Sequence, residues 1–146
     1  MKKHKPAVKN RMSCELMALS INESVCRAVI GVFLAAENPT ATELADIKCA
    51  VSEAVTNAIV HGYRGKEGTV LLSAEILADR TVRITVRDRG CGIEDVALAR
   101  RPLYTTDTTG ERSGMGFSVM ESFTDRLRVA SRVGVGTRVT MYKRLS

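Results

Sequence analysis

The chain has 146 residues, enough for one domain with a substantial core and too few for a two-domain enzyme. Hydrophobic residues at 45% and charged residues at 26% exclude wholesale disorder. The net charge of +6 would suit an acidic partner, but aromatics at 4% and no recognised nucleic-acid-binding motif argue against direct DNA binding.

The first residues, MKKHKPAVKNR, are basic and read as a flexible tail over 1–12, with a single domain from 13 to 146. The tail lacks the apolar region of a secretory signal, and no stretch approaches the ~18 apolar residues of a membrane span, so a cytoplasmic protein without membrane contact is expected. SCELMALSI, residues 13–21, alternates imperfectly and reads as a first strand. Asn22 or Ser24 is then placed to cap a helix running to Glu37, with Asn38-Pro39 ending it. A long helix follows from Thr42-Glu43 to His61, with Gly62 in the C-cap position, although Ala45 stands where a capping box from Thr42 would want Glu. Strands are predicted at 69–77 and 81–87 around a turn at 78–80. Residues 88–116 carry glycines at 90, 92, 110, 114 and 116 and read as loop, with one helical turn near 94–100. A short helix at 115–123 and a hairpin of strands 125–131 and 137–144 complete the chain. The order suggests an α+β two-layer sandwich, an antiparallel-rich, mixed sheet with helices on one face.

Cys14, Cys26, Cys49 and Cys91 are scattered without C-x-x-C spacing, and only two histidines are present. Neither a zinc site nor a disulfide framework is suggested, and four reduced packing thiols is the reading, with Cys91 set apart by its glycine turn.

Three constellations could carry chemistry. In SEAVTNAIVHG, Glu53, Asn57 and His61 recur every four residues on one helix face. Leu44, Ile47, Val51, Val55, Ala58 and Ile59 form the core-facing arc, and Ala50 and Ala54 border the polar stripe. A carboxylate and an amide one turn apart suit a divalent cation or an activated hydroxyl, although a solvated face would look the same. In TVRITVRD, period two puts Asp88 on the core side with Val82, Ile84 and Val86, just before Gly90-Cys91-Gly92; such a carboxylate either accepts the amino group of a purine or caps its own turn. In GERSGMGF, Gly114 and Gly116 free the backbone at a helix start and Arg112 supplies a charged fork, an arrangement suited to phosphate behind a lid rich in Thr and Ser. No Walker A sequence, third dinucleotide-binding glycine or protein-kinase signature set is present, so an ATP site here is of another kind.

In this order, E-x-x-x-N, D-x-G-x-G, G-x-G and G-T resemble the four boxes of the ATPase superfamily of gyrase, Hsp-type chaperones, histidine kinases and MutL, whose Bergerat-type fold is an antiparallel sheet backed by helices. Within it SEAVTNAIVHGY, VRDRGCGI, RRPLYTT and ERSGMGFSVMESF resemble the small bacterial anti-sigma serine kinases, the sporulation type more than the stress-response type. The resemblance implies a homodimer using ATP and Mg²⁺, with a sigma F-like sigma factor and an anti-anti-sigma substrate as partners. It implies Glu53 as general base, Asn57 as Mg²⁺ ligand, Asp88 as adenine anchor with Gly90, Gly92 and Thr137 about the base, and Thr105, Arg112, Gly114, Met115 and Gly116 about the phosphates, with Arg112 also catalytic. Arg27 matches a partner-binding position. Tyr104, usually Phe, and the acidic Asp107 in DTTG depart from the family's lid.

Overall fold

The computed structural model of the chain describes residues 4–102 and 116–146. Five strands form one sheet in the order β1-β2-β3-β5-β4: β1 (Val8–Met17), β2 (Thr69–Leu77), β3 (Thr81–Asp88), β4 (Arg126–Arg132) and β5 (Gly136–Arg144). Every pairing is antiparallel, so the sheet is not mixed. β1 starts five residues ahead of Ser13, because residues 8–12 continue the ladder with β2 although their side chains are largely polar. As an edge strand with an exposed face, it draws its order from backbone pairing that hydrophobic alternation does not announce.

Helices α1 (Asn22–Leu34), α2 (Ala41–Asn57), α3 (Val96–Ala99) and α4 (Gly116–Phe123) complete the two layers. Cys26, Ile30 and Leu34 of α1, Ile47, Val51 and Val55 of α2, and Met120 of α4 lie in one core with Leu72, Ile76, Val82, Val86 and Met141 of the sheet. Alternation along β3 decides which side chains enter it: Val82, Ile84, Val86 and Asp88 are buried while Arg87 is exposed. Burial pushes the Cys26 thiol up to about 11 and raises those of Cys14 and Cys49, in keeping with packing thiols.

Helix ends differ from expectation in informative ways. α1 has no side-chain cap: Asn22 donates to the Met17 carbonyl and Ser24 to the Ile21 carbonyl. It tightens into a single 3₁₀ turn, Ala35–Glu37, and ends at left-handed Asn38. α2 is capped by Thr40, not Thr42, in a full capping box whose fourth residue is Glu43. Its far end runs on as wide, π-helical turns over Ala58–Tyr63 and stops at Arg64 (φ +51°), so Gly62 lies inside the helical segment and is not its cap. Among the described residues no helix is long and apolar enough to cross a membrane.

Candidate functional site

The site gathers where the C-terminal end of α2 passes the end of β3. α2 presents Glu53 and Asn57, and beyond them the wide turns bring Gly62 against Asp88: a β-carbon on Gly62 would lie 3.0 Å from the Asp88 carboxyl carbon. A glycine is required at 90 as well, because a side chain there would fall within van der Waals contact of the Gly62 carbonyl. That carbonyl accepts the Cys91 N–H at 2.8 Å, the Cys91 thiol donates to the His61 carbonyl at 3.2 Å, and the Cys91 carbonyl accepts the Gly134 N–H at 2.9 Å. The D-x-G-x-G turn is thereby stitched to the helix on one side and to the β4–β5 turn on the other.

Asp88 is only 6% exposed. Its Oδ1 accepts the Gly90 N–H at 2.8 Å, so the carboxylate caps its own turn. Desolvation nevertheless outweighs that bond and the backbone donor of Thr137, and holds the carboxyl above its ordinary value. A buried carboxylate with acceptor capacity left over is chemically fitted to an amino group such as that of adenine. Thr137 faces Asp88 in the β3–β5 register, and its hydroxyl lies 2.8 Å from that of Ser131. Ser131 in turn accepts the Ile93 N–H at 2.7 Å. Gly92, at φ +77°, follows in the same turn.

The other end of the site is where α4 begins. A β-carbon on Gly116 would stand 3.1 Å from Asn57 Nδ2 and 3.3 Å from Glu53 Oε2, so the helix start lies directly over this carboxylate and amide. Ala50 and Ala54, which border the stripe, are both buried. His61 leaves the stripe, because a 3.6-residue repeat no longer applies once π turns begin at Ala58. The described residues contain no cluster of three or more His, Cys, Asp or Glu for a metal. A cation here would rest on the Asn57 amide and on oxygens from a ligand, a donor set that suits Mg²⁺.

Thr105, Arg112, Gly114 and Met115, with the lid departures at Tyr104 and Asp107, lie outside the described residues. Arg27 is exposed on α1, paired with Glu23 at 3.5 Å, and Glu23 also accepts the Ser52 hydroxyl, so Arg27 is tied to the helix that carries Glu53.

Tyr63 and Ser131 escaped the reading of the sequence. The Tyr63 hydroxyl donates to the Thr69 carbonyl and accepts the Arg89 N–H at 2.8 Å, fixing the residue beside Asp88. Nothing in the sequence marks either role, since the bonds from Tyr63 to Arg89 and from Ser131 to Ile93 join segments far apart in the chain.

The histidine kinase-like ATPase domain family matches residues 18–143. Proteins named anti-sigma F factor from Anoxybacillus flavithermus and Clostridium acetobutylicum are 47% identical over 139 residues, 95% of this chain and 95% and 96% of theirs. One from Halalkalibacterium halodurans is 48% identical over 141 residues, 95% of each chain. Among solved structures, that of the RsbU and RsbW domains of a Mycobacterium tuberculosis protein superposes with a TM-score of 0.69 at 25% identity, covering 94% of this chain and 33% of that one. The catalytic domain of the histidine kinase ThkA shares the fold, with a TM-score of 0.58 at 17% identity over 92% of this chain and 96% of that one.

Proposed function

The chain belongs to the histidine kinase-like ATPase family and, within it, to the anti-sigma F factors, and from that premise we propose that it holds a sporulation sigma factor and phosphorylates a serine of an anti-anti-sigma protein. The observation that carries the catalytic part is the placing of Glu53 and Asn57 together beneath the start of α4, on a helical segment whose far end, at Gly62, meets the buried acceptor Asp88.

Bound Mg·ATP supplies the phosphoryl group and neutralises the charge that develops during transfer. On this reading Asp88 accepts the adenine amino group, with Thr137 and the Gly90 and Gly92 turn shaping the pocket around it. Asn57 holds Mg²⁺, and Glu53 takes the proton from the acceptor serine hydroxyl, which requires the ionised carboxylate to point at that hydroxyl. Arg112, with Thr105, Gly114, Met115 and Gly116, holds the phosphates. Arg27 belongs to the partner-binding surface. The working form is a cytoplasmic homodimer.

Purified protein mixed with ATP and a candidate anti-anti-sigma protein should yield phosphoserine on the latter. Bound ATP without phosphoserine would leave a sigma-binding module in which the nucleotide only stabilises the gripping conformation.

A further inference from the structure

The helices cover one face of the sheet and leave the other open, and on that open face charge is sorted by strand. Its rows follow from the register: Glu75, Arg83, Tyr142 and Arg126 lie side by side across β2, β3, β5 and β4, then Thr85, Thr140 and Arg128, then Arg87, Arg138 and Ala130. The acids of this face, Glu15 and Glu75, are on the β1–β2 half and already engaged, Glu15 with the Thr69 hydroxyl and Glu75 with Arg11 and Arg83. Arg87 and Arg138 stand directly opposite one another, an arrangement that costs stability unless an anion lies between or above them. Among the described residues neither they nor Arg128 forms a salt bridge, and all three are exposed. A groove of about 710 Å³ runs along this half, lined among others by Glu75, Arg83, Arg128, Arg138, Tyr142 and Arg100, the residue that follows α3 and pairs with Glu121.

β4 is also the last strand of the sheet. Among the described residues, no backbone–backbone bond ties residues 126–131 to anything beyond β5. A free strand edge is a template for an extended chain. We propose that the β4 edge and the arginine face beside it form a docking site for an extended acidic polypeptide segment, which pairs with β4 through its backbone while its carboxylates reach Arg128 on β4 and Arg138 on the next strand in. Arginine forks suit carboxylates in this bidentate way. A second copy of the chain fits poorly, since it would bring the same arginines while its glutamates on this face are already engaged. Nucleic acid fits poorly too, because among the described residues the face offers only Tyr142 for stacking, and nucleic acid cannot use a strand edge.

The probe is a fluorescent peptide of alternating Glu and Thr, about ten residues long so as to span the edge strand. Anisotropy titration should show saturable binding that weakens with salt. The Arg128→Gln, Arg138→Gln double variant should bind about tenfold more weakly with unchanged circular dichroism. A peptide N-methylated on alternate amides should lose binding to the unaltered protein, a readout that does not depend on any variant folding. Equal loss from Lys5→Gln, Lys66→Gln would mean attraction to net charge alone and overturn the proposal. So would binding that survives N-methylation, preference for a thymidine oligonucleotide over the peptide, or a dimer that dissociates when Arg128 and Arg138 are replaced.

Discussion

The Tyr63 hydroxyl accepts the backbone N–H of Arg89 at 2.8 Å while donating to the Thr69 carbonyl, so one phenol joins the end of the helical segment to the start of β2 and the end of β3. Tyr63→Phe keeps the ring and removes both bonds. The change should cost about 0.5–1.5 kcal/mol, the net worth of a hydrogen bond whose partners, on exposed Thr69 and Arg89, can turn to water. Urea unfolding measures that loss, and nucleotide titration should show weaker binding, since Arg89 adjoins Asp88.

Asp88 should leave a signature in pH. Its carboxyl is held above the ordinary value in the fold, so between the unfolded and folded values the native state binds more protons than the unfolded chain. Its contribution to stability is therefore greatest at acid pH and declines as pH rises through the folded value. Asp88→Asn should remove that slope, seen as flatter urea midpoints as pH rises from the ordinary aspartate range. The same variant should bind adenine nucleotides at least about tenfold more weakly, because an amide offers donors where a carboxylate offers only acceptors. An unchanged dissociation constant would leave adenine anchored elsewhere.

Glu53 and Asn57 can be separated although they share one helix face. Glu53→Ala should lower serine phosphorylation by about 10²–10⁴-fold while ATP stays bound. Asn57→Ala should instead shift the Mg²⁺ dependence of nucleotide binding, measurable by titration at fixed ATP. Loss of ATP binding in both variants would mean that Glu53 serves the ligand and not the proton.

Gly116→Ala tests the contact at the start of α4. The new methyl would press on Asn57 and Glu53 at 3.1–3.3 Å, yet alanine favours helix over glycine by up to about 1 kcal/mol. Thermal unfolding should therefore change little while kcat falls, a split that a purely structural glycine would not give.

Glu37 anchors the fold away from the site. Its buried carboxylate meets Lys9 at 2.9 Å and Arg80 at 3.4 Å, and Arg80 also donates to the Glu37 carbonyl at 2.8 Å. Both cations are partly exposed, so Glu37→Ala should cost about 2–3 kcal/mol, at or below the low end for breaking a buried pair. Denaturant unfolding should show the loss without any change in nucleotide affinity.

Elements whose side chains alternate or repeat strongly were legible from the residues alone. TVRITVRD specified both β3 and the inward phase of Asp88, and the capping box at Thr40 to Glu43 was present in the letters though the reading fell on Thr42. The order of four short motifs pointed to the family before any coordinate did, and the candidate roles of Glu53, Asn57, Asp88 and the glycines at 90, 92 and 116 were read from that resemblance.

What the sequence determined is thus the local part: periodicity, glycine positions and the spacing of carboxylate and amide on one helix. The tertiary structure alone decided the π turns at Ala58–Tyr63, the bonding of Tyr63 to Arg89 and Thr69, and the sorting of arginines onto one half of an open sheet. Gly62 in the π turns bonds to Cys91, Tyr63 to Arg89, and Arg87 faces Arg138, all contacts between segments far apart in the chain. Such contacts can override the 3.6-residue repeat of a helix, and in a sheet the strand order and register choose which charges meet.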